Sequence, residues 1–105
     1  MNNNENSGAE KQVVDVEQFA KEGKPVPPGH QYKIAIDRQT YIVQKECMTG
    51  QEILKLAGKL PITRFQLNMR NKGGKVVKIA HDQQVCFTEP GIEKFMTIPL
   101  DQTEG

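Results

Sequence analysis

The residues with the clearest chemical use stand at the end of the chain, where Asp101-Gln102-Thr103-Glu104 leads to Gly105. A carboxylate on a residue without a Cβ meets the least hindrance in a narrow channel, at a nucleotide or at a cysteine. Five extended residues span about 17 Å, so such an arm reaches into a partner's active site while a folded body stays outside. Gly105 is therefore expected to act as an acyl donor, with Asp101, Gln102, Thr103 and Glu104 read by the protein that takes up the tail. Amines that could receive an acyl group are also present. Lys11, Lys21 and Lys24 fall in a leader expected to be accessible, and Lys55, Lys72 and Lys75 on the surface of a domain.

Other chemistry is poorly supported. Cys47, Cys86, His30 and His81 show no CxxC or HxxxH spacing, so no zinc site is expected. Cys86, flanked by Val85 and Phe87, reads as a small core residue rather than a nucleophile served by His81. Gly73-Gly74 lacks the Lys-Ser/Thr of a phosphate loop and reads as a turn. No paired carboxylates stand out. The chain is expected not to be an enzyme, and to hold no metal or cofactor of its own.

Positioning such a tail takes a folded body, and 105 residues allow one domain with extensions. Apolar residues concentrate between Tyr32 and Leu100. Residues 1–29 carry three lysines against five acids, and residues 30–100 carry eleven Lys and Arg against six acids. A body charged at +5 between acidic ends is too weak a field for nucleic acid. The aromatics form no stacking platform. No run approaches the ~20 apolar residues of a membrane helix, and no secretory segment opens the chain. A cytoplasmic protein with reduced thiols is the resulting expectation.

Residues 1–29 read as a disordered leader, opening with an Asn-rich run and closing on Gly23-Lys24-Pro25-Val26-Pro27-Pro28-Gly29. Within it, Val13, Val16 and Phe19-Ala20 recur at near-helical spacing, and Glu17 with Lys21 makes an i,i+4 pair. Residues 30–100 read as the folded unit. Tyr32, Ile34 and Ile36 have the period of a half-buried strand. Asp37 opens a type I turn, and a second strand runs from Tyr41 to about Met48. Thr49-Gly50-Gln51-Glu52 is a capping box. It starts a helix from about Gly50 to Lys59, with Ile53, Leu54, Leu56, Ala57 and Leu60 on its apolar face and Pro61 as its stop. Phe65, Leu67 and Met69 alternate as a third strand, and Gly73-Gly74 turns the chain into a return strand at Val77 and Ile79. A touch-down at Val85-Cys86-Phe87 precedes a last strand from Lys94 to Ile98. Pro99 cannot donate to a ladder, so residues 101–105 should leave as a flexible tail. Two strands, a crossover helix and three strands make an α+β fold of β-grasp type, a mixed sheet with one helix on one face.

The run from Tyr32 through Thr49-Gly50-Gln51-Glu52-Ile53-Leu54, the Gly73-Gly74 hairpin and the closing Pro90-Gly91-Ile92-Glu93-Lys94-Phe95 resembles the bacterial multiubiquitin-type ubiquitin-like domains. The resemblance covers about residues 31–100. It implies a β-grasp modifier from a bacterial ubiquitination-like operon, some of which are linked to phage defence. The partners it implies are an activating enzyme that uses ATP, a conjugating enzyme, a metal-dependent processing peptidase and a target protein. Gly105 would be adenylated, passed through thioesters and joined to an amine in an isopeptide bond. Two features depart from that pattern: many relatives carry tandem copies, and many modifiers end in two glycines where this chain has Glu104-Gly105. Two other readings stay open. One is a β-grasp sulfur carrier with a terminal thiocarboxylate. The other is a non-covalent interaction module that binds through the sheet face around Arg70, Lys72, Lys75 and Lys78.

Overall fold

A computed structural model describes residues 12–100. Along it run β1 (Val13–Asp15), α1 (Val16–Glu22), β2 (Gln31–Ile36), β3 (Gln39–Val43) and β4 (Cys47–Thr49). These are followed by α2 (Gly50–Leu56), a 3₁₀ turn (Ile62–Arg64), β5 (Phe65–Asn71), β6 (Val76–Ile79), β7 (Gln84–Cys86) and β8 (Ile92–Pro99). The fold is α+β, a mixed sheet with the helices packed on it, as the β-grasp expectation requires. The main sheet runs β3-β2-β8-β5-β6, so the last strand lies in its middle. β8 is parallel to β2, with Ile36 opposite Phe95, and antiparallel to β5 from Phe65↔Pro99 to Asn71↔Ile92. β4 and β7 form a separate two-stranded ladder.

Alternation in β2 buries Tyr32, Ile34 and Ile36 and leaves Gln31, Lys33 and Ala35 partly exposed, as its period of two requires. α2 lays Ile53 and Leu54, both fully buried, against that face. Phe87 fills the space between, its ring centroid 6.3 Å from Tyr32 and 6.2 Å from Phe95. The capping box forms: the Glu52 amide donates to Thr49 Oγ1 at 3.3 Å, and the Thr49 amide donates to Glu52 Oε1 at 2.9 Å. Gly73 and Gly74 both take positive φ, 92° and 87°, at the β5–β6 hairpin.

Several expectations are corrected. The leader is not disordered between Val13 and Glu22. β1 adds in parallel to β2, with Val14 opposite Tyr32, along the stretch of β2 that β8 does not pair. α1 then packs on β2 and β8, burying Val16 and Ala20, and the following loop buries Val26. So few apolar residues cannot form a core alone, but they suffice where another sheet offers an open strand edge and an apolar surface. Asp15 caps α1 by accepting from the Gln18 amide at 3.2 Å. Gly23, at φ 70°, ends it in a Schellman motif, in which the Lys24 amide donates to the Phe19 carbonyl at 2.9 Å.

The second strand stops at Val43, and Cys47–Thr49 pairs elsewhere. The main helix stops at Leu56, not Lys59. Gly58, at φ 74°, forms another Schellman motif with the Lys59 amide on the Leu54 carbonyl at 2.9 Å. Leu60 consequently lies beyond the helix and is exposed. Asp37 does not open a type I turn, because its own φ is 58° in a two-residue loop between Ile36 and Gln39. The expected reduced thiols are paired: Cys47 and Cys86 are direct cross-strand neighbours with Cα atoms 3.9 Å apart, joined in a disulfide. Cys86 is accordingly half-buried rather than a core thiol.

Candidate functional site

β8 carries the chain toward the residues that sequence reasoning singled out. Its final pair is Pro99 with Phe65, and the Leu100 amide then donates to the Arg64 carbonyl at 2.8 Å. Ile98 and Leu100 are both exposed at this end. Leu100 also lines a small pocket of about 280 Å³ with Phe65, Ile79 and His81. Here His81 Nε2 lies 3.3 Å from the Phe65 carbonyl oxygen. Gly105 and the tail residues Asp101, Gln102, Thr103 and Glu104 lie outside the described residues, as does Lys11.

Lys21 is on α1 and Lys24 directly follows its Gly23 cap, so neither is in a disordered leader. Lys21 reaches Glu17 at 3.2 Å and Lys24 reaches Glu22 at 2.9 Å, while Lys24 also sits over the Phe19 ring at 5.6 Å. Hydrogen bonds from the Gln18 side chain and then from Lys24 hold the Glu22 carboxyl below its ordinary value. Both lysine side chains remain more than half exposed. Lys55, Lys72 and Lys75 are exposed, as expected of domain-surface lysines. Lys72 and Lys75 flank the Gly73-Gly74 turn. They therefore stand apart from the sheet-face group, in which Arg70 pairs with Lys94 and Asn68 with Lys78.

A larger feature escaped sequence reasoning. A cleft of about 550 Å³ opens at the Asp37 turn, lined among others by Arg38, Lys59, Arg70, Lys94 and Tyr41. Asp37 is the one acid lining it and is already engaged. Its Oδ1 accepts from the Thr97 amide at 2.9 Å, and its Oδ2 from the Thr97 hydroxyl at 2.7 Å, with Lys59 Nζ 3.8 Å away. The Asp37 amide in turn donates to the Phe95 carbonyl at 2.8 Å. Asp37 thus replaces a strand residue with its side chain and ties the first hairpin to the last strand. No local signal reveals this, since Asp37 and Thr97 are 60 residues apart.

The cleft gathers four cations, Arg38, Lys59, Arg70 and Lys94, around one engaged carboxylate. Cys47 and Cys86 are consumed by their disulfide, so neither is a thiolate nucleophile beside His81. Among the described residues, no group of three or more His, Cys, Asp or Glu could hold a metal. None of the described helices is long and apolar enough to cross a membrane.

The multiubiquitin family model matches residues 32–99, from the second residue of β2 to the end of β8. No curated protein and no solved structure matches the chain significantly.

Proposed function

The chain belongs to the multiubiquitin family, and from that premise we propose that it is a ubiquitin-like protein modifier with the Gly105 carboxylate as acyl donor. The observation that carries this reading is the place of β8. The central strand ends at Pro99, and Leu100, at the root of the tail, is exposed. A rigid body therefore holds the root of the tail, while Asp101, Gln102, Thr103 and Glu104 supply the reach.

In this reading the domain is a substrate, as ubiquitin-like domains generally are, and its partners perform the catalysis. The carboxylate attacks the α-phosphorus of ATP in the activating enzyme and releases pyrophosphate. A cysteine thiolate of that enzyme displaces AMP from the acyl adenylate, forming a thioester. A cysteine of the conjugating enzyme takes the acyl group by exchange, and a target amine displaces that thiolate to form an amide. Lys21 and Lys24 are candidate acceptors when the target is a second copy, as is Lys11. A metal-dependent peptidase would trim or reverse the linkage. The bacterial ubiquitination-like operon, its cytoplasmic setting and the role in phage defence belong to this same proposal.

Intact mass after mixing the chain with ATP and the activating and conjugating enzymes tests it. A reductant-sensitive adduct, absent in Gly105→Ala, is expected. Exchange of one oxygen for sulfur in the presence of a sulfide donor would instead favour a sulfur carrier. No adduct, with enzymes that turn over ATP with another carrier, would refute acyl donation and leave a non-covalent module.

A further inference from the structure

We propose that the cleft at the Asp37 turn is a docking site for the acidic segment Asp101–Gly105 of a second copy of this chain. Four cations, Arg38, Lys59, Arg70 and Lys94, line a space of about 550 Å³. The one carboxylate among its lining residues, Asp37, has both oxygens held by Thr97. Two of the cations are also paired: Lys59 Nζ lies 3.8 Å from Asp37 Oδ2, and Arg70 Nε lies 3.5 Å from Glu93 Oε1. The cleft therefore presents net positive charge beside apolar Tyr41 and Met96. Its size lies in the ~300–1,000 Å³ range of ligand sites.

The complementary charge is in the same sequence. Asp101 and Glu104 make residues 101–105 acidic with no basic residue among them. Five extended residues reach about 17 Å, enough to place both acids against a cleft of this size. Leu100, the root of the chain's own tail, is anchored on one side of β8. The Leu100 amide is bonded to Arg64, and its side chain lies with Phe65, Ile79 and His81, on the β5–β6 side of β8. The cleft opens at the β2–β3 turn around Arg38, Gln39 and Tyr41 and extends over Lys94 and Met96 of β8 to Arg70 of β5, away from the Leu100 end of β8. A second copy has no such constraint, and the resulting contact is heterologous, tail to cleft.

This inference does not depend on acyl transfer. Gly105→Ala should abolish the thioester adduct and leave the association intact, so the two ideas fail separately. The test uses the full chain in sedimentation equilibrium over a concentration series, beside a labelled peptide of the sequence Leu100–Gly105. The peptide should bind saturably, and Arg38→Glu/Lys94→Glu should weaken it at least about tenfold. Raising salt from about 0.1 M to about 1 M, which shortens the Debye length from roughly 10 Å to roughly 3 Å, should abolish it.

Full-length Asp101→Asn/Glu104→Gln should be monomeric, as should the cleft variant. Their mixture should form only a one-to-one dimer, since one supplies the tail and the other the cleft. If the cleft variant does not fold by circular dichroism, the tail variant and the peptide carry the test alone. Peptide binding unchanged by the charge reversals would overturn the proposal. So would a wild-type chain that stays monomeric at every concentration, or a cleft already filled by its own tail, seen as protection that does not change with concentration.

Discussion

Gly50 shows how much a single backbone position can carry. A Cβ there would stand 2.3 Å from the Ala80 carbonyl oxygen and 3.3 Å from the His81 Cα, both backbone atoms with no rotamer to change. The closeness is productive, since the Gly50 and Gln51 amides donate to the Gln83 and His81 carbonyls at 3.0 and 2.9 Å and satisfy the first turn of α2. Gly50→Ala is expected to cost about 1–3 kcal/mol, read as a lower urea midpoint at unchanged slope. Two positions on, the Thr49 amide and then Lys45 hold the Glu52 carboxyl below its ordinary value of 4.5. A depressed carboxyl stabilises the fold above its unfolded-state value, and that contribution is lost as pH falls through the lowered one. Stability measured against pH for wild type and Glu52→Gln should therefore converge below about pH 4.5. A constant gap across that window would show that the capping carboxylate is not the source.

At the scale of elements, α2 and α1 make a useful pair. The first announces itself by a capping box and a dense apolar face. The second has Asp15 as a cap and Gly23 as a stop, but only Val16 and Ala20 fully buried along it. Both end in the same glycine motif, and the Pro61 expected to end α2 is preceded by Gly58, which already does so. The strand–helix segment of residues 13–22 should behave as part of the domain. Val16→Ala is expected to lower stability by about 1.5–3 kcal/mol, because Val16 is 1% exposed. Val13→Ala, at 47% exposed on the neighbouring strand, should stay within about 0.5 kcal/mol. Equal effects in chemical denaturation would contradict the packing of α1 on β2 and β8.

The whole molecule is held by closures that are long in sequence. β2 meets β8 across nearly the full length of the domain, and Cys47 meets Cys86 across a separation of 39 residues. Closing a loop of that length removes denatured-state entropy worth roughly 4 kcal/mol in the chain-entropy account, and measured values are commonly about 2–4 kcal/mol. Against a total of ~5–15 kcal/mol for a domain of this kind, that is a large share. Reductant should therefore lower the unfolding free energy by about 2–4 kcal/mol, while a Cys47→Ser/Cys86→Ser variant, already lowered, should not respond. An oxidised wild type no more stable than that variant would argue that the β4–β7 ladder holds without the bond.

Local chemistry alone determined the elements with strong periodicity and clear punctuation. Tyr32-Ile34-Ile36, the Thr49–Glu52 box and Gly73-Gly74 each act through neighbours a few residues away, so their outcome was written in spacing. Their order was enough for the β-grasp, because a crossover helix leaves few ways to return a strand parallel to the first. Only the tertiary structure decided what β1 and α1 do, since Val14 and Val16 gain their stabilisation from a strand edge and a surface made by residues far along the chain. The same holds for the Cys47–Cys86 pair and for Asp37 on Thr97. The cationic cleft belongs here too: Arg38, Lys59, Arg70 and Lys94 have no common spacing, and what joins them is the approach of elements in space.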